Sequence, residues 1–203
     1  MEIENILLDC KAVLLRPRDP LTYTSGLKGP IYCDNRLLIS YPEQREKIVE
    51  TFLNVISQLD FDVIGGTATA GIPWAAFLAQ KLRKPMIYIR GKAKGHGKGN
   101  QIEGTFTSGQ RVLIVEDLIT TAGSVVNAIE TVRLKGGIVE DVVALFTHEL
   151  ASGLECIDNA KCNLHVLGRF STLITLALEK GIISEDEKKI MEEWNKDPKG
   201  WTP

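Results

Sequence analysis

Four short apolar runs constrain this chain more than any other feature. "FDVIGG", "PMIYIR", "RVLIV" and "DVVALF" are apolar on consecutive residues, so each suits a strand covered on both faces. Between them lie segments of helical period, such as "GIPWAAFLAQKLR" and the stretch from about Ser124 to Lys135. Strands buried on both faces and alternating with helices predict an α/β fold, with a central parallel sheet flanked by helices. In such sheets the ligand sits beyond the carboxyl ends of the strands, which singles out the loops after Gly65, Arg90, Val115 and Phe146.

The rest of the chain fits around that core. "EIENILLDCKAVLL" carries Ile3, Ile6, Leu7, Cys10, Val13 and Leu14 at helical spacing and reads as one helix, stopped by "RPRDP". "LTYTSGLKGPIYCDNRLL" is rich in turn residues and reads as a small N-terminal hood. "YPEQREKIVETFLNVISQL" starts with a proline suited to a first helical turn and has one apolar face. A helix near 149 to 160, the short strand "NLHVLG" and two terminal helices complete the chain. At 203 residues this is a single domain, with the hood at about 1–40, the core at about 41–180 and a C-terminal helix and tail at 181–203.

Composition narrows the function. The net charge of −2 gives no general affinity for nucleic acid. No apolar run approaches the roughly 20 residues that span a bilayer, and the start "MEIEN" does not read as a signal peptide. The cysteines Cys10, Cys33, Cys156 and Cys162 form no CxxC pair, and reduced thiols in a cytoplasmic protein are the simpler reading.

Three of the ligand-edge loops suit anions. "EDLITTAGS" leads into a helix whose first N–H groups and positive dipole end face the loop. Thr120, Thr121 and Ser124 add hydroxyls there, and Gly123 admits close backbone contact. Carboxylates beside a phosphate would repel it, so Glu116 and Asp117 suit vicinal sugar hydroxyls instead. The plainer reading of the same loop is a strand-to-helix turn whose Asp or Thr merely caps. "RGKAKGHGKGNQIEG" holds Arg90, Lys92, Lys94, His96 and Lys98 among glycines, with no acid before Glu103, and suits a lid over an anion. Its plainer reading is a solvated surface loop or a weak nucleic-acid patch, and the lack of interleaved aromatics argues against the latter. "GTATAGIP", containing Thr67, offers small residues for close contact with a second anionic group.

Together these segments resemble a known family. Hydrophobic residues, two acids and a hydroxyl-rich loop resemble the phosphoribosyl-pyrophosphate (PRPP) motif of type I phosphoribosyltransferases. "YIRGKAKGHGKGNQIEG" is similar to the catalytic loop of the orotate phosphoribosyltransferases, and "GTATAGIP" and "SGLKGPIYCDNR" match that group in order and spacing. The resemblance implies transfer of phosphoribosyl from PRPP to orotate, giving orotidine 5′-phosphate and pyrophosphate, with Mg²⁺ carried by PRPP and not by protein ligands. It implies PRPP contacts from Thr67, Arg90, Lys94 and His96, and along Glu116, Asp117, Leu118, Ile119, Thr120, Thr121, Ala122, Gly123 and Ser124. Lys94 and Asp117 would be catalytic, and the protein would be a homodimer whose lid reaches the neighbouring site.

The chain also departs from the family pattern. Thr24 stands where many members carry lysine, leaving Lys28 as the nearby base. Gly91 stands where many carry a lysine after the lid's first arginine. "FTHEL" places Thr147 and His148 where an Asp-Arg pair usually helps to read the pyrimidine. Ala122 replaces a frequent glycine. Thr120, Lys28 and His148 are therefore the expected orotate contacts. Rival readings are a phosphoribosyltransferase for another nucleobase, and a non-catalytic nucleotide-binding regulator on the same fold.

Overall fold

The computed structural model describes residues 2–23, 26–91 and 101–202. In chain order these form α1 (Glu2–Asp9), β1 (Val13–Leu15), β2 (Leu21–Thr22), β3 (Lys28–Gly29), β4 (Ile31–Cys33) and a 3-10 helix (Asn35–Ser40). Next come α2 (Pro42–Ile56), β5 (Val63–Thr67), α3 (Gly71–Leu82), β6 (Met86–Ile89), β7 (Ile102–Glu103) and β8 (Val112–Ile119). The chain continues with α4 (Gly123–Leu134), β9 (Asp141–Thr147), α5 (Ala151–Asn159), β10 (Asn163–Arg169), α6 (Phe170–Glu179) and α7 (Glu185–Lys196).

The six-stranded sheet runs β10-β9-β8-β5-β6-β7 and is parallel except for β7. Alternate residues of its central strands feed two cores. Leu113, Val115, Val143 and Leu145 face α1, α2, α3, α6 and α7 through Leu7, Phe52, Trp74, Leu173 and Trp194. Val112, Ile114, Val142 and Ala144 face α4 and α5 through Val125, Ile129, Val132 and Ile157. This is the parallel sheet covered on both faces that the apolar runs predict.

The strand order makes the ligand crevice. From β5 the chain moves one way to β6, and from β8 it moves the other way to β9, so the loops after β5 and β8 part from each other. Pairing of β8 with β5 stops at Gly66↔Val115, whereas pairing with β9 continues through Leu118↔Phe146 and Ile119↔Thr147. Strand β8 is therefore longer than "RVLIV", and the acid pair lies on the strand and not in the following loop. The longer β9 supplies the backbone partners that extend it. Gly71 lets α3 start hard against this strand end, since a Cβ there would lie 2.4 Å from the Val115 carbonyl oxygen.

The N-terminal segment corrects the expectation of one long helix. Lys11 adopts φ 53, and Lys11 N–H and Ala12 N–H close the turn on the Leu8 and Leu7 carbonyls at 3.1 and 2.9 Å. The chain then leaves as β1, antiparallel to β4 with Val13 opposite Cys33. Helix α1 packs on α6 and β10, so residues 2–9 cover the sheet. The small two-stranded pairs β1–β4 and β2–β3 stand apart from it. Strand β7, too short for a periodic signal, adds an antiparallel edge with Ile102 opposite Ile89. Among the described residues no helix is long and apolar enough to cross a membrane.

Candidate active site

A cleft of about 370 Å³ opens where β5 and β8 diverge. Cys33 at the end of β4 and residues 34–36 after it supply one wall, Ala68, Thr69 and Ala70 after β5 a second, and Glu116, Asp117, Leu118 and Ser124 the rest. The Ala68–Thr69 peptide is cis.

The two acids are held differently. Glu116 is 4% exposed; its Oε1 accepts the Asp117 backbone N–H at 3.0 Å and its Oε2 accepts the Ser124 hydroxyl at 3.0 Å. Burial, reinforced by the neighbouring Asp117 charge, pushes the Glu116 carboxyl up to about 8. Burial also raises Asp117, opposed by its hydrogen bonds and by Arg36. Asn35 donates from Nδ2 to the Asp117 carbonyl at 2.8 Å, fixing the backbone beneath that carboxylate. Arg36 makes a two-pronged bond to Asp34, Nε to Oδ1 at 2.7 Å and Nη2 to Oδ2 at 3.0 Å. That bond holds Asp34 below the usual carboxylate range.

Beside the acids lies the start of α4. Among the described residues no side chain caps this helix, so its first N–H groups can meet a ligand and the merely capping reading of the loop loses its basis. Ala122 takes φ 60 ψ 7, the left-handed conformation that turns the chain from strand into helix. Its side chain and that of Ile119 are buried in the core, so these two residues can offer a ligand only backbone. Thr121, Gly123 and Ser124 are exposed, and Leu118 and Thr120 are half-buried.

The other expected site residues lie elsewhere. Thr67, at the end of β5, is buried with an Oγ1 that has no partner among the described residues. Arg90 follows β6; its Nη1 is 3.4 Å from Glu103 Oε1 and its backbone N–H is tied to the Gln101 carbonyl at 2.8 Å. Lys28 is exposed on β3 opposite Thr22 and does not line the cleft. His148 is buried behind the cleft, not on its wall, with both ring nitrogens already engaged by protein groups. Lys94 and His96, with the rest of the lid from 92 to 100, lie outside the described residues. Sequence reasoning did not single out Asn35 and Arg36. Their signal was the polar "DNR" directly after the strand "IYC".

Paired acids beside a helix start, at the switch point of a parallel sheet, set carboxylate acceptors next to backbone N–H donors, a combination that suits a sugar carrying phosphate. Residues 41–150 match the family model of the phosphoribosyl transferase domain, and this chain belongs to that class. Within it, the full chain is 52% identical to an orotate phosphoribosyltransferase of Coxiella burnetii, covering 100% of this chain and 98% of the relative. The crystal structure of an orotate phosphoribosyltransferase from Aeropyrum pernix superposes with a TM-score of 0.77 at 30% identity, covering 90% of this chain and 99% of that one. A UMP synthase from Leishmania donovani superposes with a TM-score of 0.81 at 25% identity; 96% of this chain covers 41% of that longer one. The chain is a member of the orotate phosphoribosyltransferase family.

Proposed function

We propose that the protein transfers the phosphoribosyl group of PRPP to orotate, giving orotidine 5′-phosphate and pyrophosphate in UMP synthesis. The bond from ribose C1 to the pyrophosphate oxygen breaks, a bond from C1 to the orotate ring nitrogen forms, and the proton of that nitrogen is released to pyrophosphate or solvent. The observation that carries the site assignment is the pair Glu116 and Asp117 beside the uncapped start of α4.

Asp117 and Glu116 accept hydrogen bonds from the ribose hydroxyls, and the Asp117 carboxylate faces a ring that becomes electron-poor as C1–O lengthens. The loop Thr121–Ser124 and the first turn of α4 bind the 5′-phosphate. Thr67, Arg90 and the 68–70 loop take the pyrophosphate side. Lys94 and His96 belong to the lid that covers the leaving group, where each well-placed donor contributes about 3–4 kcal/mol to the transition state. Mg²⁺ would arrive on PRPP and offset the charge of the diphosphate, held by the diphosphate and ribose oxygens. The described residues bring no three His, Cys, Asp or Glu side chains together to hold the ion. The enzyme works as a cytoplasmic homodimer in which each lid serves the partner's site.

The test is consumption of orotate with PRPP and Mg²⁺, beside uracil and hypoxanthine. Orotate alone is expected to react. Turnover of either other base in its place would overturn the reading.

A further inference from the structure

One buried imidazole joins three parts of the chain behind the cleft. His148 follows β9, and its backbone N–H donates to the Ile119 carbonyl at 2.9 Å, adding a rung to the β8–β9 ladder. The ring is 6% exposed and lies edge-on to Phe146 at 5.9 Å and to Trp194 at 5.7 Å. Its Nδ1 is 3.2 Å from Thr120 Oγ1, and its Nε2 is 3.3 Å from Cys33 Sγ. Asn195 of α7 donates from Nδ2 to the His148 carbonyl. The strand end at Cys33, the anion loop at Thr120 and helix α7 thus meet on this residue.

The ring partners are a hydroxyl and a thiol, and burial lowers the imidazole to about 4 and raises the thiol, so both are neutral at physiological pH. A neutral imidazole has one donor nitrogen and one acceptor nitrogen. Sulfur is a weak partner in either role, so the tautomer is decided at Thr120, where O–H···N is the stronger arrangement. Nε2 then carries the proton and points it at Cys33. Nδ1 accepts the Thr120 hydroxyl proton, which leaves the hydroxyl's lone pairs for another donor. A pyrimidine with a ring N–H supplies that donor.

We infer that His148 is a positioning residue that fixes Thr120 as a hydrogen-bond acceptor for the pyrimidine ring, with Trp194 and Asn195 of α7 setting the imidazole. This rests on the orotate reading above and on the family resemblance that sets Thr120 beside the base. It assigns the departure "FTHEL" a role through Thr120 and not through direct contact with the base, and it gives the C-terminal helix a part in base recognition.

Steady-state kinetics of wild type, His148→Phe, His148→Asn, Thr120→Val and the double variant His148→Phe/Thr120→Val test it. Phenylalanine keeps the packing against Phe146 and Trp194 but loses the nitrogen. It is expected to raise the KM for orotate about tenfold and to leave that for PRPP within about twofold. Asparagine, whose amide takes the place of Nδ1, is expected to restore most of the loss. In the Thr120→Val background, His148→Phe should add less than about twofold. Parallel rises in both KM values, or effects that multiply in the double variant, would overturn the inference. The ¹⁵N spectrum of the wild-type imidazole gives a readout that needs no variant to fold: a proton on Nε2 supports the proposal and one on Nδ1 overturns it. A wild type that ignores orotate defeats the functional reading itself. One that uses orotate while His148→Phe keeps a normal orotate KM defeats only the positioning role.

Discussion

The Ser124 hydroxyl, in the first turn of α4, donates to Glu116 Oε2 on β8 at 3.0 Å. With Oε1 occupied by the Asp117 backbone N–H, Glu116 is oriented on both oxygens before any ligand arrives. The helix start and the strand end, proposed to face the phosphate and the sugar, are thereby fixed to each other. The same enclosure makes the Glu116 charge costly, because burial outweighs the two bonds.

That cost sets a pH dependence of the ligand-free protein. The Glu116 carboxyl binds its proton more tightly folded, with a pKa of about 8, than unfolded at about 4.5. Between those values the native state holds more protons, so stability falls as pH rises across the window. Each unit of such a shift corresponds to about 1.4 kcal/mol. The Tm of the wild type is expected to drop from pH 5 to pH 8 relative to Glu116→Gln, which cannot ionise there. Parallel Tm curves for the two proteins would show that Glu116 does not titrate in this range.

Asp117→Asn keeps the volume and removes the carboxylate from the cleft. Because burial already disfavours the Asp117 charge, the variant should melt no lower than wild type at neutral pH. Its kcat/KM should fall by at least about 100-fold, the scale of losing a group that stabilises developing charge. Near wild-type kcat/KM would remove Asp117 from the ribose site.

How much of this was legible beforehand differs from residue to residue. Leu113 and Ile114 announced a strand because adjacent positions both had to be buried, and the sheet follows from that. The acids were legible as a pair, but not their place on the strand, because β8 is extended by pairing with β9. His148 read as a base contact because "FTHEL" stands where the family pattern has an Asp-Arg pair that helps to read the pyrimidine. What hides it is Trp194, from a helix whose docking no local pattern encodes. Val13 and Leu14 continued a helical period, yet the backbone at Lys11 reverses and gives them to a strand. Asn35 could not be linked to Asp117 without the fold that brings the 3-10 helix to the end of β8.

Ala122 tests the turn between strand and helix. Its φ of 60 costs an L residue about 1–2 kcal/mol, which glycine would recover. Glycine also gives up a buried methyl, worth about 0.8 kcal/mol, and gains freedom in the unfolded chain. Ala122→Gly should therefore lie within about 1 kcal/mol of wild type by denaturant unfolding. Ala122→Val, β-branched in a left-handed conformation and overpacked, should lose more than about 2 kcal/mol. A valine variant as stable as wild type would mean that the turn is not held as described.

The shared-site arrangement is tested by mixing lesions. Suppose each lid crosses to the partner while the acid pair serves its own subunit. Lys94→Ala and Asp117→Asn homodimers are then both nearly inactive, for independent reasons. In a mixed dimer one site collects both lesions, and the other combines an intact Asp117 with an intact Lys94. Co-expression should therefore restore up to about half of wild-type activity per mixed dimer, if the sites work independently. A lid acting on its own subunit leaves every site with one lesion, and no mixture recovers. Mixed dimers verified by mass that stay at the homodimer baseline would rule out the crossing lid.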